Sequence, residues 1–467
     1  MENTINNSLA RLSTEQLSLI NAFMYYDGMV FKNDESLGDN IEEMRTKTPK
    51  EWSKMLKKHP GTMSVKKAEQ VVDAIMKDPQ LRDLKVIDCT RKEPYYTGAV
   101  NACFVDEKNK QVLFDFRGTN REEWMDNAEG FLKESSPMQE DALRFVESTL
   151  KKKGFLEAGY DIDVTGHSKG GNKAQYVTIK SPYVRECHSF DGQGFSKEFM
   201  EANKTEIAER AKKITSHAAH LDYVHCLGQQ VAGKNEWYDT NRPAGLFSLS
   251  RIKLANVAFA HSPGACFHFD KSGEVRMNAT KDQSEFSGKV HDISVKMMDA
   301  SKEKQEIYFN SVMASIQMTH TFKPLYNGKL PDLETIRKEI AKQKVNLDET
   351  LGFMQQNGFD ENKIIPLAQS RVADVTYKAV FTGKAKKELA AEAATPGGGN
   401  GNGENREVSV SMSGRGDEKG AVNLSTTPKG QVSMEELRNS VATQRNNIDP
   451  KVLLGKNRVT VKGIQRE

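Results

Sequence analysis

The chain carries the stretch Val164-Thr-Gly-His-Ser-Lys-Gly-Gly171, in which Ser168 stands between glycines two residues before and two residues after it. A serine with this G-x-S-x-G spacing lies on a sharp turn between a strand and a helix, and the small flanking residues permit the close backbone approach that the turn requires. A strand pattern at Asp161–Thr165 precedes it, and a helix-compatible segment follows. This context predicts a nucleophile elbow with Ser168 as nucleophile, rather than a glycine-rich surface turn.

Short strands and helices alternate on both sides of this turn. Apolar runs predict strands at 86–87, 99–105, 111–116, 161–165, 184–190, 214–219 and 255–260, and helical periodicity predicts helices at about 138–153, 170–179 and 197–213. The capping-box spacing Ser13-Thr-Glu-Gln16 begins a further amphipathic helix near the N-terminus. Strands that alternate with helices form βαβ units, so we expect an α/β-hydrolase fold with a mainly parallel central sheet.

Length and composition predict more than one region. The chain has 467 residues, whereas single hydrophobic cores stop growing at roughly 250–300 residues. We expect the hydrolase domain with its N-terminal helices at 1–283, a helical appendage at 284–395, a flexible Gly/Asn-rich linker at 396–432 and a short basic tail at 433–467. The linker is predicted to be disordered because it lacks aromatics and any periodic apolar face. The tail is also predicted to be disordered, with a short helix at 433–442 as an open alternative.

Charge and cysteine usage argue against several classes of protein. A formal net charge of +3 gives no overall argument for nucleic-acid binding. The five cysteines are far apart and form no C-x-x-C pair, so we expect reduced, buried thiols, and no metal site is predicted from the loose cluster His217, His220 and His225. The N-terminus lacks a signal-peptide pattern, which predicts a cytoplasmic protein and leaves non-classical secretion open. The oligomeric state is not indicated.

Two segments are candidates for an oxyanion hole. The helix after Ser168 directs its free N–H groups and the positive end of its dipole at a developing oxyanion, so the backbone N–H of Lys169 is the expected first donor. The stretch Phe114-Asp-Phe-Arg-Gly-Thr119 ends a predicted strand with Gly118-Thr119 placed to turn back over the site, and Thr119 is the expected second donor. An ordinary turn is the alternative interpretation. Each such donor contributes about 3 kcal/mol in the transition state.

These motifs together resemble the class 3, fungal-type lipase family: Phe116-Arg-Gly-Thr119, with Trp124 and Asp126 downstream, and then the serine elbow. More closely, the chain is similar to bacterial lipase-like proteins of unassigned function that are related to that family. The resemblance extends over roughly residues 13–270 and implies an α/β-hydrolase fold with ester hydrolysis. It has one departure, because lysine stands at Lys169 where the family has leucine. We expect this cation at the mouth of the site.

The acid of a catalytic triad has two candidates. Hydrolases of this fold supply serine, acid and histidine in that chain order. Asp222, in His220-Leu-Asp-Tyr-Val224, matches the family's Asp-x-Val position after a strand and is preferred. Asp191, in Ser189-Phe-Asp-Gly-Gln193, ends the preceding strand and is the alternative, with a turn or capping aspartate as the simpler interpretation.

The base also has two candidates. His268, in Ala265-Cys-Phe-His-Phe-Asp270, lies in a loop after the predicted strand at 255–260, where the family's base falls, and is preferred. His261 is the alternative. His167, beside the nucleophile, is expected to pack next to the site rather than to act in the chemistry.

The predicted chemistry is acyl transfer in a serine esterase or lipase. His268 takes the proton of Ser168, Asp222 orients the imidazole, Ser168 attacks the carbonyl of a carboxylic or lipid ester, and water releases the acyl group. No cofactor is required. Glu122–Leu132 lies where a lipase lid would begin, although a helix packed on the sheet is an equally good interpretation.

Two other functions stay open from the sequence. The fold could belong to a catalytically silent binding or scaffold protein, although the retained serine, aspartate and histidine candidates argue against it. Alternatively, the chain could be a delivered lipase effector whose C-terminal part is an export segment. The basic residues of the tail could make a transient contact with an anionic membrane, but a solvated terminus is the simpler interpretation; they are Lys451, Lys456, Arg458, Lys462 and Arg466.

Overall fold

The computed structural model describes residues 11–58, 60–96, 98–119, 124–240, 260–322, 344–358, 411–413 and 458–460. The chain divides into two compact units, one formed by Met1–Phe309 with Gln356–Phe359 and the other by Asn310–Gln355 with Asp360–Glu467. The expected linker and basic tail fall almost entirely outside the described residues. The boundaries expected after residues 283, 395 and 432 therefore stay predictions.

The helices are numbered here in chain order. They are α1 (Thr14–Phe23), α2 (Leu37–Lys47), α3 (Pro49–Lys57), α4 (Val65–Lys77), α5 (Pro79–Arg82), α6 (Trp124–Leu132), α7 (Pro137–Lys153), α8 (Lys169–Lys180), α9 (Lys197–Ala202), α10 (Lys204–Arg210), α11 (Glu285–Asp299), α12 (Lys302–Phe322) and α13 (Leu347–Gln356). Single 3-10 turns lie at Pro60–Thr62 and Ala211–Lys213.

The strands form one large sheet and two small ribbons. They are β1 (Lys85–Cys89), β2 (Asn101–Asp106), β3 (Gln111–Phe116), β4 (Asp161–His167), β5 (Val184–Phe190), β6 (Ile214–Ala219), β7 (Lys234–Tyr238), β8 (His268–Phe269), β9 (Val275–Arg276), β10 (Ala279–Thr280), β11 (Ser411–Ser413) and β12 (Arg458–Thr460). The large sheet has the order β1-β2-β3-β4-β5-β6-β7-β10. Its central strands β3 to β7 are parallel, and the pairs at both edges are antiparallel. The expected α/β-hydrolase fold with a mainly parallel sheet is confirmed.

Most elements lie where the sequence pattern places them, apart from the unpredicted strands β7 to β12 and one interrupted helix. Strand β7 was not predicted, since Lys234-Asn-Glu-Trp-Tyr238 has a polar first half that is exposed at the sheet. The helix expected at 197–213 is interrupted at Asn203, whose backbone (φ −118°, ψ 24°) leaves the helical region and separates α9 from α10. The strand expected at 255–260 lies outside the described residues, apart from Ala260.

Both faces of the sheet are covered, and the site is built between the two layers. One face packs against the N-terminal helices, where Ile20 and Phe23 of α1 meet Phe104 of β2. The other packs against α7 and α8, where Val146 and Val177 contribute to the core. Burial of each large apolar side chain contributes about 1.5–3 kcal/mol. The sheet therefore holds its strand ends rigidly, as a preorganised site requires.

The capping box predicted for α1 is present, and a buried arginine holds the other end of that helix. Ser13 Oγ accepts the N–H of Gln16 at 3.2 Å, and the Gln16 side chain accepts the N–H of Ser13 at 2.7 Å. At the C-terminal end, the fully buried Arg91 donates to the carbonyls of Met24 at 2.5 Å and Tyr26 at 2.8 Å. The final turn of α1 is thereby fixed in position.

Candidate active site

Ser168 lies on a strained turn between β4 and α8. Its backbone has φ 62° and ψ −127°, a conformation that costs a non-glycine residue on the order of 1–3 kcal/mol. A Cβ atom on Gly170 would lie 1.7 Å from the Phe116 carbonyl oxygen, and one on Gly166 would lie 2.4 Å from the backbone of Gly170. Only glycine fits at either position, so the turn has the geometry expected of a nucleophile elbow.

The Ser168 hydroxyl is the first member of a hydrogen-bonded chain. Ser168 Oγ lies 2.7 Å from Nε2 of His261, and Nδ1 of His261 lies 2.9 Å from Oδ1 of Asp222. Asp222 follows β6 and is completely buried, and Ser168 is 5% exposed. The elbow and the ends of the sheet strands thus bring a serine, a histidine and a carboxylate together in the order and geometry of a catalytic triad.

The histidine at Ser168 is His261, the alternative base, and not the preferred His268. His268 lies in β8, where it pairs with Arg276 of β9. Its Nδ1 atom is buried without a hydrogen-bond partner among the described residues. The preference for His268 is corrected, because by that point the chain has left the site for the β8–β9 ribbon.

The loop that carries His261 is held by the N-terminal helical layer. Ser262 Oγ donates to the Gly61 carbonyl at 2.9 Å. The ammonium of Lys67 donates to the carbonyl of Phe267 at 2.6 Å and also bonds that of Gly264. Burial lowers the pKa of Lys67 to about 8. These contacts fix the start of the loop beside Ser168 before the chain turns away.

Asp191, the alternative acid, contacts Ala219, Cys266 and His167 rather than His261. It directly follows β5 and has a positive φ of 48°. Its Oδ1 atom accepts the N–H of Ala219 at 2.8 Å, and its Oδ2 atom is 3.6 Å from both Cys266 Sγ and His167 Nε2. Burial, together with the negative charge of Asp222, raises the pKa of Asp191. Asp222 is therefore the carboxylate in direct contact with His261.

The carboxylate of Asp222 is held by a second histidine, which the sequence analysis named only as a member of a loose cluster. Oδ2 accepts the backbone N–H groups of Val224 at 3.1 Å and His225 at 2.7 Å, and also lies 3.0 Å from His225 Nδ1. Although burial opposes it, the two histidines hold the pKa of Asp222 far below its usual value. The spacing of three residues between Asp222 and His225 was the available signal, since it lets one tight turn return a side chain to the carboxylate.

The same atoms form the one group with metal-ligand spacing in the described residues. Single ligand atoms of Asp191, Asp222 and His225 lie within 4.8 Å of one another, and all three residues are buried. A bound metal ion would compete with the hydrogen bonds from His261, His225 and Ala219 described above. The arrangement fits a carboxylate that orients imidazoles, and the sequence-based expectation of no metal stays a prediction.

The two expected oxyanion segments lie against the nucleophile. The N–H of Ser168 donates to the Phe190 carbonyl at 2.8 Å, so it is already used. Lys169 begins α8, and the N–H of a first helical residue has no carbonyl partner within its helix. A Cβ atom on Gly118 would lie 2.9 Å from Ser168 Cβ, and the neighbouring Thr119 hydroxyl accepts the Asn127 amide at 2.9 Å. Both segments lie beside Ser168, and their role as oxyanion donors stays a prediction.

Tyr25, at the end of α1, also touches this part of the site and was missed from the sequence. Its hydroxyl lies 2.7 Å from Nδ1 of His167 and accepts the backbone N–H of Gly118. Burial raises the pKa of Tyr25, so the phenol stays neutral. The segment is anchored by the ion pair between Asp27 and Arg117 at 2.5 Å. The segment that follows α1 thereby holds Gly118 and His167 beside Ser168 through one hydroxyl group.

The expectation that Lys169 places a cation at the mouth of the site is wrong. Its side chain is 1% exposed, and its ammonium lies 2.8 Å from Oδ2 of Asp126 in α6. Ser136 Oγ lies 3.2 Å from the same ammonium and donates to Asp126 at 2.8 Å. Against the effect of burial, the positive charge of Lys169 lowers the pKa of Asp126. The cation is neutralised inside the protein and leaves the site without a positive charge at this position.

Residues 75–222 match the Mbeg1-like family model. Solved structures similar to this chain include a mono- and diacylglycerol lipase from Aspergillus oryzae, with 14% identity over 52% of this chain and 86% of that one at a TM-score of 0.31. The Lip2 lipase from Yarrowia lipolytica is similar at 15% identity over 39% of this chain and 79% of that one, with a TM-score of 0.26. No curated protein sequence matches the chain.

The segment expected to begin a lid is firmly attached where it is described. In α6, Asp126 forms the buried ion pair with Lys169, and the ring of Phe131 stacks on that of Phe309 with centroids 4.9 Å apart. These contacts favour the interpretation of a helix packed on the fold, and opening of a lid stays a prediction.

Among the described helices, none combines the length and apolar character that crossing a bilayer requires.

Proposed function

We propose that the protein is a serine hydrolase that acts on carboxylic esters, with lipid esters as its substrate class. Ser168 is the nucleophile, His261 the base and Asp222 the acid. The observation that carries the proposal is the continuous chain of hydrogen bonds from Ser168 to His261 at 2.7 Å and from His261 to Asp222 at 2.9 Å. It stands on an elbow with the strained backbone and the flanking glycines that this motif requires.

The reaction proceeds by acyl transfer. His261 Nε2 accepts the Ser168 proton as Oγ attacks the ester carbonyl, and Asp222 holds the imidazole in the tautomer that carries its proton on Nδ1. The negative charge that develops on the carbonyl oxygen is stabilised by the N–H of Lys169 and by Thr119, at about 3 kcal/mol for each donor. The imidazolium then protonates the leaving alcohol, and a water activated by His261 releases the acid.

The choice of lipid esters is supported by the motifs. The stretch Phe116-Arg-Gly-Thr119 and the serine elbow resemble the class 3 lipases, and both lie at the site. Because the Lys169 charge is buried against Asp126, it does not oppose entry of an apolar acyl chain. Transient contact with a lipid surface belongs to the same proposal.

A series of p-nitrophenyl esters from butyrate to palmitate tests the proposal on the full chain. We expect hydrolysis by the wild type, and loss of at least about a thousandfold in Ser168→Ala, as for removal of a triad member. The matched control is Ser148→Ala, whose hydroxyl lies on the exposed face of α7 and bonds the Phe145 carbonyl. Activity that survives in Ser168→Ala would contradict the assignment, and a wild type inert to all esters would favour a silent scaffold.

A further inference from the structure

Two imidazole rings contact the carboxylate of Asp222, the acid of the proposed triad, and each ring contacts a different oxygen. His261 occupies Oδ1 of Asp222, and His225 occupies Oδ2. Resting on the proposed function, we propose that His225 is a positioning residue that holds Asp222 in place and sets the pH at which His261 becomes protonated. It acts through Asp222 and does not touch the substrate.

The hydrogen bonds to Oδ2 of Asp222 come from the turn that follows this residue. This oxygen accepts three N–H groups, two from the backbone of Val224 and His225 and one from the His225 ring. The carbonyl of Asp222 in turn accepts Ser287 Oγ of α11 at 2.6 Å. Because these three donors, among the described residues, all come from the turn that follows Asp222, they hold the carboxylate in one orientation, in which Oδ1 faces His261.

The tautomer of His225 follows from its second nitrogen. His225 Nε2 lies 3.3 Å from the side-chain nitrogen of Gln283, and an amide nitrogen can only donate. His225 Nε2 is therefore the acceptor, so Nδ1 carries the proton and donates it to Asp222. The ring is 3% exposed and packs edge-on against Trp237 with centroids 5.0 Å apart. His225 is thus a hydrogen-bond donor to Asp222 in a fixed position.

Removal of this donor has a predictable sign. A carboxylate that loses a hydrogen bond concentrates more negative charge toward its remaining partner, so the His261 imidazolium becomes more stable and forms at a higher pH. The other titratable groups that face this cluster are retained in the variant; they are Asp191, His167, Tyr223, Cys226 and Cys266. Asp191 also interacts electrostatically with His225, so a variant that restores the donor without the imidazole is needed to assign the shift to the contact between His225 and Asp222.

Two substitutions separate positioning from mere packing. Asn at this position can place its amide nitrogen where Nδ1 stands, whereas Gln of similar polarity carries its amide beyond it. We expect His225→Gln to raise the midpoint of the His261 titration by about one pH unit, and His225→Asn to restore it. At pH values below the midpoints of both proteins, kcat/KM of His225→Gln should be about tenfold lower than that of the wild type.

The experiment is an NMR titration of the His261 ring in the full chain. The signal of this ring is identified among those of the ten histidines by its loss in His261→Ala, and the pH profile of kcat/KM is then measured. An upward shift in His225→Gln that His225→Asn reverses supports the proposal. An unchanged midpoint in His225→Gln overturns it, even if activity falls. Since the titration does not require turnover, it decides the role of His225 even if Ser168 proves inert, and that result would count against the proposed function alone.

Discussion

The buried pair of Lys169 and Asp126 gives the most quantitative prediction. The side chains are 1% and 10% exposed, and the charged atoms lie 2.8 Å apart. In Asp126→Asn the volume is retained, but the ammonium has no counter-charge. Neutralising a lysine at pH 7 from an ordinary pKa of about 10.4 costs about 4.6 kcal/mol, which limits the penalty because the group can lose its proton instead. We therefore expect a loss of about 3–4.6 kcal/mol in the free energy of unfolding.

The double variant Asp126→Asn with Lys169→Met isolates the charge. Replacing both partners removes the uncompensated ion, and well-packed neutral replacements of buried ion pairs are often neutral or stabilising. We expect the double variant to recover at least about 2 kcal/mol relative to Asp126→Asn. The matched control is Glu285→Gln, which breaks an exposed pair with Lys289 at 2.6 Å and should change stability by less than about 1 kcal/mol.

Urea denaturation followed by tryptophan fluorescence measures these differences, provided that all variants unfold with the same slope. A single variant no less stable than the control would refute the account of Lys169 as a buried, paired cation. So would a double variant as unstable as Asp126→Asn, because the penalty would then come from packing rather than charge.

Three further predictions test the surroundings of the site. Gly118→Ala should lower kcat/KM at least about a hundredfold, because the added Cβ would lie 2.6 Å from the His167 carbonyl oxygen. The control Gly288→Ala, whose Cβ would meet nothing within 4 Å, should match the wild type. Equal kcat/KM in the two variants would contradict the close approach of Gly118 to His167. Tyr25→Phe removes the 2.7 Å contact to His167 and should cost about 1–2 kcal/mol of stability, which thermal unfolding can disprove by showing no change. Burial lowers the pKa of Lys67 to about 8, so above that pH this residue binds fewer protons in the folded protein than in the unfolded chain. The free energy of unfolding of the wild type should therefore rise by about 2 kcal/mol relative to that of Lys67→Met between about pH 7.5 and about pH 9.5. A stability difference that stays constant or falls over this interval would reverse the sign of that argument.

The parts of the site that local sequence determines could be predicted. The elbow depends on Gly166, Ser168 and Gly170, which lie within five residues, and the position of Asp222 depends on where β6 ends. Strand β3 was visible because both faces of the sheet are covered, so its sequence is largely apolar. Strands β5 and β6 carry polar residues among their apolar ones, and they were found from shorter apolar groups.

The choice of base depends on contacts between distant segments, and this is why the sequence could not make it. His261 and His268 lie in the same short segment of sequence, and what separates them is the anchoring of Ser262 to Gly61 and of Gly264 to Lys67. These partners are about two hundred residues apart in the chain. No periodicity in either segment carries information about such a pairing.

Buried polar partners were the second source of error. A lysine after a nucleophile looks solvent-exposed in sequence, and only the packing of α6 against the start of α8 supplies Asp126 as its counter-charge. His225 was assigned to a loose histidine cluster because its role depends on the turn after Asp222. In both cases the residue type was visible and its partner was not.

The most direct test of the account is the rate at which a fluorophosphonate labels Ser168 in the wild type, Ser168→Ala, His261→Ala and His268→Ala, read by intact-protein mass spectrometry. The account predicts no adduct in Ser168→Ala, a rate at least about a thousandfold lower in His261→Ala, and a rate within about threefold of the wild type in His268→Ala. Rapid labelling of His261→Ala together with loss of labelling in His268→Ala would contradict the triad of Ser168, His261 and Asp222.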